Sequence, residues 1–308
     1  MTGSNEPVRH DAIIVGAGPA GLSAALMLGR CRRNVLVCDG GGQRNIRAKE
    51  MHGYLTRDGI APSEFLRLAA AELEPYDTVK RLALNVTSAR RVQGGFEVSF
   101  SDGQTRECRK LLLATGVVDE VPDLPGIAEL YGTSVHHCPY CDGWEVRDQS
   151  IVVYGKGIHA FSLAMTLRTW TSQLLVCTGG PAEMEPDDRA MLSRHGISVR
   201  EDMILRLEGS EHQIERVIFA TGDPVECRAL FFSTGQRQRS LLAQQLDCVF
   251  NEKGTVATGR CEATNVPGLF VAGDASQDPQ FVIVAAAEGT EAATQINESL
   301  EKEDRILA

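Results

Sequence analysis

Ala12-Ile13-Ile14-Val15-Gly16-Ala17-Gly18-Pro19-Ala20-Gly21 is the stretch that decides the fold. Four apolar residues make a short buried strand, and the chain then passes three glycines into the helical pattern Leu22 to Leu28. In such a turn the first glycine lets the chain reverse tightly. The second admits a pyrophosphate against the backbone, and the third lets helix pack on strand. The phosphate would rest on the helix N-terminus, where free amides and peptide dipoles favour an anion. A second strand, Val35-Leu36-Val37-Cys38, ends at Asp39, an acid at the separation that suits a ribose diol. Together these features predict a dinucleotide-binding α/β unit.

The pattern recurs. Ile151-Val152-Val153-Tyr154 leads to Gly155-Lys156-Gly157-Ile158-His159-Ala160, a helical run ending near Trp170, and a strand Leu174-Leu175-Val176-Cys177. Gly16 to Gly155 and Cys38 to Cys177 are both shifts of 139 positions. The closing segments, Glu107-Cys108-Arg109 to Thr115-Gly116 and Glu226-Cys227-Arg228 to Thr234-Gly235, match at a shift of 119, so the second copy is about 20 residues shorter. Two doubly wound α/β units on one duplicated plan are expected.

Between these landmarks the first unit is expected to hold a helix from Pro62 to Leu73 and a β-meander with a strand Phe96 to Phe100 and a turn at Asp102-Gly103. The second has a shorter equivalent: Arg216 to Ala220, a turn at Gly222-Asp223, then Val225 to Arg228. Val121 to Gly126 reads as the exit linker and Gly235 to Ser240 as the return. The tail, Gly268 to Asp274 and a small-residue helix from about Val282 to Leu300, should rejoin the first unit. The expected fold is therefore α/β, with two Rossmann-like, three-layer ββα domains and the second inserted into the first. The first would comprise residues 1–121 and 240–308, and the inserted one residues 122–239.

The inserted segment carries His136-His137-Cys138-Pro139-Tyr140-Cys141-Asp142-Gly143-Trp144. Two thiols separated by two residues can close a disulfide with little backbone movement. A helix starting there would lower the pKa of the first sulfur, and the adjacent carboxyl group is placed to move a proton. A lone CxxC in a reducing compartment signals redox or metal chemistry. A zinc site lacks its second half, because no further CxxC or spaced Cys/His pair follows, so no metal is expected.

With 43% hydrophobic and 23% charged residues the chain reads as a soluble globular protein. The net charge of -10 argues against nucleic acid as a partner. No apolar run reaches membrane-spanning length. Met1 to Asp11 is polar and leads straight into a strand, so no signal peptide is expected. Of nine cysteines, Cys38, Cys108, Cys177 and Cys227 sit in apolar runs and read as buried small hydrophobes. A cytoplasmic location fits this usage.

GAGPAG with Asp39, Ala114-Thr115-Gly116 before the linker, CxxCDG in the insert and Gly273-Asp274 near the end resemble the low-molecular-weight thioredoxin reductase family of flavoproteins. The match spans nearly the whole chain. The resemblance implies FAD on the first domain, with Gly16 to Gly21 at the pyrophosphate, Asp39 near ribose and Asp274 near the ribitol chain. The cofactor-binding set expected on this reading is Gly16, Gly18, Pro19, Ala20, Gly21, Asp39, Gly40, Gln43, Asn45, His52, Ala114, Thr115, Gly116, Gly273, Asp274, Phe281 and Val282. The resemblance also implies that Cys141 faces the flavin, Cys138 exchanges with substrate, Asp142 handles the proton, and the protein is a homodimer.

The chain departs from that family where NADPH should bind. Thr178-Gly179-Gly180-Pro181-Ala182-Glu183-Met184-Glu185-Pro186-Asp187-Asp188 carries four acids and no Lys or Arg before Arg189. A 2′-phosphate needs cations there, and Thr178 stands where an acid would bind the ribose of NADH. Lys156 or Arg189 compensating from elsewhere is the alternative. Other departures are Gln280-Phe281 at the family's Arg-Gln pair and the two histidines before the CxxC. The chain is similar here to the NADPH-independent dithiol oxidases of disulfide natural products such as gliotoxin, holomycin and romidepsin. That implies a small dithiol as reductant and oxygen as acceptor. A reductase acting on a thioredoxin-like protein, using NAD(P)H atypically or fed by ferredoxin, is the alternative. His137 reads either as the base for the substrate thiol or as a surface or helix-capping residue. For His136 the surface or capping reading is the expected one.

Overall fold

The computed structural model describes residues 9–276 and 279–307. The lead-in Met1–Val8, with most of the polar stretch read above, lies outside the described residues, as do Gln277, Asp278 and Ala308. The chain divides into two compact units: Met1–Arg44, Ser63–Val118 and Arg237–Ala308 form one, Asn45–Pro62 and Asp119–Gln236 the other. Both are α/β, and Asn45–Pro62 groups with the second although the sequence pattern assigns it to the first.

In the first unit the strands His10–Val15, Val35–Cys38 and Val79–Leu82 lie parallel on one side of the central strand Thr105–Leu113. That strand is long enough to serve two partners. Its first half pairs antiparallel with Gly95–Phe100, and its second half pairs parallel with Leu269–Val271. Because side chains alternate across a strand, the sheet sorts its apolar residues onto two faces. Ala12, Ile14, Val35, Val37, Leu112 and Phe270 face the helices Pro19–Arg30 and Val282–Leu307. Ile13, Val15, Leu36, Leu111, Leu113 and Val271 face the meander. Fully buried side chains of this size contribute about 1.5–3 kcal/mol each. The four in-run cysteines are buried as expected, and burial pushes the Cys38, Cys108, Cys177 and Cys227 thiols up to about 12.

The last helix is longer than its apolar pattern suggests, reaching Leu307. Its polar end is held by charge. Arg33 donates to Asp304 (2.8 Å), Arg109 donates to Glu303 (2.9 Å), and the buried Lys110 ammonium pairs with Glu303.

The second unit repeats the plan with a five-stranded parallel sheet. Ser198–Arg200, Leu174–Cys177, Ile151–Tyr154, Ala229–Phe232 and Val135–His136 follow one another across it. The helices Gly157–Leu167 and Pro186–Arg194 accompany one face, and the other packs on strands Ile204–Ser210 and Gln213–Phe219. Sequence reading misses Ile204–Ser210 because register shifts at Ile204/Arg206 and Glu208/Gly209 break its alternation. The hairpin turns at Glu211 and His212, both left-handed, without the glycine that usually announces such a turn.

Glu303→Ala strands the buried Lys110 charge. It should cost about 2 kcal/mol in urea denaturation, whereas Glu301→Ala should stay within about 0.5 kcal/mol of wild type.

Candidate functional site

The first unit brings its three cofactor motifs to the carboxyl ends of the parallel strands, where ligands of such sheets bind. A Cβ on Gly16 would lie 2.2 Å from the Ala114 carbonyl oxygen, and one on Gly21 would lie 1.9 Å from that of Gly16. A Cβ on Gly273 would lie 3.1 Å from the Ala20 side chain. The glycine turn, the Ala114–Gly116 segment and the Gly273-Asp274 turn therefore converge. Gly18 faces open space, with nothing within 4 Å of where a Cβ would be. That is the cradle a pyrophosphate requires, so these residues fit a dinucleotide. Asp39 accepts from the Gly41 amide (2.8 Å), and Gly40 packs on Asn85. Phe281 and Val282 open the last helix, where the Phe281 carbonyl accepts from the Ala285 amide. Asn45 and His52 lie in the second unit, where His52 stands 3.5–3.7 Å from Glu50, Asp58 and Glu145.

Two residues of this end escaped sequence reading. Arg44 donates to Asp274 (2.9 Å) and Gln280 (2.6 Å), tying the loop after Val35–Cys38 to the Gly273-Asp274 turn. A lone arginine in a loop gives no pattern to find it by. Glu288 lies buried in the small-residue helix and accepts from the Gly273 amide (2.6 Å) and the Ser276 hydroxyl (3.3 Å). Burial pushes its carboxyl up to about 7; the Gly273 amide opposes this, and the charges of Glu262 and Asp274 add to it.

In the second unit Cys138 and Cys141 form a disulfide with Cα atoms 5.3 Å apart. The helix expected behind Cys138 is a single turn, Pro139–Asp142, too short to carry a full macrodipole. Gly143 ends it tightly: a Cβ there would meet the Pro139 carbonyl at 2.5 Å and the Trp170 ring at 2.8 Å. Tyr140 and Trp144 are exposed beside the disulfide.

The histidines part at the end of the strand Val135–His136. Val135 pairs with Leu230 and His136 with Phe231, so consecutive residues turn to opposite faces. His136 goes to the helix face, buried against Phe231, and reaches Asp142 Oδ1 through Nδ1 at 3.1 Å. The residue expected to be a surface or capping histidine is thus the one that holds the Asp142 carboxylate. His137 goes to the meander face, toward Tyr131, Phe232 and Asp119.

The second glycine turn differs from the first at the matching position. Gly157, the counterpart of Gly18, donates its amide to the Ala182 carbonyl (2.8 Å), and a Cβ on it would lie 3.2 Å from the Glu183 carbonyl. The Thr178–Glu183 loop is pinned there. Thr178 donates to Gly180, Ala182 is buried, and its amide donates to Glu201 (2.7 Å). Lys156 is paired with Glu183 (2.7 Å) and Arg189 with Glu201 (2.9 Å). The Ala182 amide, and Arg189 after it, hold the Glu201 carboxyl below its usual range. Both cations that could have served a phosphate are matched by carboxylates.

A glycine cradle open to a dinucleotide, joined to a second unit bearing a redox-active disulfide, defines a flavin-linked disulfide oxidoreductase. The chain belongs to the pyridine nucleotide-disulphide oxidoreductase family, whose model matches residues 10–289. It is 32% identical over 303 residues to a probable thioredoxin reductase of Arthroderma benhamiae, covering 88% of this chain and 75% of the relative. It is 30% identical over 312 residues to thioredoxin reductase sirT of Leptosphaeria maculans, covering 94% of each. Among solved structures, HlmI superposes with a TM-score of 0.93 at 33% identity, covering 99% of this chain and 96% of that one. The protein is an enzyme of the thioredoxin-reductase-like branch, and its cofactor is FAD. Among the described residues no group of three or more His, Cys, Asp or Glu side chains is placed to hold a metal ion, and no helix is long and apolar enough to cross a membrane.

Glu288 yields a pH signature. Its folded pKa lies above the ordinary 4.5, so the folded state holds an extra proton between about pH 4.5 and about 7. The stability this proton supports falls as pH rises through that window. Glu288→Gln keeps an acceptor for Gly273 and loses the charge. Its melting temperature relative to wild type should therefore climb between about pH 5 and about pH 8; parallel curves would contradict the assignment.

Proposed function

We propose that the protein is a dithiol oxidase: it takes an electron pair from a small dithiol at Cys138–Cys141 and delivers it through FAD to oxygen without a nicotinamide. The observation that carries this reading is the second glycine turn, whose Gly157 amide is taken by the Ala182 carbonyl and whose Lys156 is taken by Glu183. The ion pair is half-exposed and adds little stability. Its effect is electrostatic, cancelling the cation that a nucleotide phosphate would need. The family resemblance to dithiol oxidases points the same way. The two relatives are named as thioredoxin reductases, and a thioredoxin-like disulfide protein is the alternative partner.

In the proposed reaction a substrate thiolate attacks Cys138 Sγ, the Cys138–Cys141 bond breaks, and Cys141 leaves as thiolate. The second substrate thiolate then attacks the substrate sulfur of the mixed disulfide, closing the product disulfide and releasing Cys138. When bound, FAD supplies the two-electron chemistry that reoxidises the Cys138/Cys141 dithiol and passes the pair to dioxygen as hydrogen peroxide. His136 holds Asp142 in place to accept or return a proton beside Cys141. His137 is proposed as the base for the substrate thiol. A homodimer in the cytoplasm completes the proposal; the dimer rests on the resemblance, and the compartment on seven cysteines outside the disulfide, none of them paired.

Anaerobic titration of the flavin absorbance near 450 nm tests this. A dithiol should bleach the enzyme, stoichiometric NADPH should not, and air should restore the colour; Cys138→Ser should keep FAD and lose the bleaching. Rapid bleaching by NADPH with thioredoxin turnover would overturn the proposal, and bleaching only by reduced ferredoxin would replace the electron donor.

A further inference from the structure

We infer that Asp119 and Tyr131 are positioning residues that set His137 as the proton acceptor for the incoming thiol; the inference rests on the reading of Cys138 as the exchanging sulfur. Asp119 ends the strand Val117–Asp119, and its carboxylate is 7% exposed. Tyr131 follows the helix Ile127–Leu130, its backbone amide donating a hydrogen bond to the Ile127 carbonyl (2.9 Å). The Tyr131 hydroxyl donates to Asp119 Oδ2 at 3.1 Å and lies 3.3 Å from His137 Nδ1. A hydroxyl that spends its proton on a carboxylate can only accept from the ring. This selects the tautomer with hydrogen on Nδ1 and the basic lone pair on Nε2.

Asp119 Oδ1 stands 3.8 Å from Nε2. That is too long for a good hydrogen bond to the neutral ring, but close enough to stabilise the ring once it is charged. The Phe232 ring, 5.7 Å from Tyr131 and 6.1 Å from His137 between centroids, gives the site an apolar wall. Such a wall strengthens the ion attraction that follows proton uptake. Asp119 from the strand and Tyr131 from the segment after the helix are titratable groups that face the ring, whereas His136 is buried against Phe231 and pairs with Asp142.

The step balances without another reagent. The substrate S–H proton passes to Nε2, the resulting thiolate bonds to Cys138 Sγ, and the electron pair of the Cys138–Cys141 bond leaves on Cys141. The two histidines thus serve separate protons, His137 the substrate's and His136, through Asp142, the enzyme's.

The probe is dithiothreitol, mixed anaerobically with the holoenzyme and quenched by alkylation, so that thiols formed at Cys138 and Cys141 are counted directly. Wild type should show a histidine-limited inflection in the rate–pH profile. Asp119→Asn should move it about one unit lower and reduce the neutral-pH rate about tenfold. Tyr131→Phe, which keeps the ring, should lower that rate severalfold, and His137→Gln should leave only the rise expected of free thiolate. Profiles of Asp119→Asn and Tyr131→Phe superimposable on wild type would overturn the inference, as would an unchanged profile in His137→Gln. Because the readout needs neither oxygen nor nicotinamide, an enzyme that drew electrons from NADPH would fail the titration above and still report on this relay.

Discussion

A helix begins with amides that have no partner inside it, and the use made of those amides separates the two halves of this protein. Each half brings a parallel strand through a glycine turn into a helix. In the first, Gly18 faces open space and the cradle is left for a ligand's phosphates. In the second, the Gly157 amide already has its acceptor in Ala182, and the flanking cation has its anion in Glu183. One architecture thus carries one glycine turn left open and one whose amide is taken by its own chain. The closed copy remains as the scaffold for the disulfide.

That scaffold matters because a strand's pleat is strict. Pairing Val135 and His136 with Leu230 and Phe231 fixes which way His136 turns, and His137 follows directly after the strand. The redox turn therefore has a buried histidine holding Asp142 on one side and a partly exposed one beside Tyr131 and Asp119 on the other. The one-turn helix at Pro139 offers little dipole to activate a sulfur. Gly143, wedged between the Pro139 carbonyl and Trp170, keeps the turn in place.

Most of the architecture was legible in the sequence, because duplicated strand–glycine–helix segments impose their own periodicity and spacing. The acidic loop after Cys177 was legible as a deficit of cations; its folding onto Gly157 was not, since a backbone hydrogen bond leaves no mark on residue identity. Arg44 and Glu288 were missed for a related reason: each acts through a turn distant in sequence. His136 was undervalued because only the register of its strand shows which face it takes. The assignment of Asn45–Pro62 to the first unit followed chain order, whereas His52 and its carboxylate neighbours lie in the second.

The closed second cradle is tested most directly by calorimetric titration of NADPH and NADH into the FAD-loaded protein. No saturable binding up to about 1 mM, a free energy weaker than about −4 kcal/mol, is the predicted result. Stoichiometric binding with a Kd of about 10 μM or tighter would contradict it.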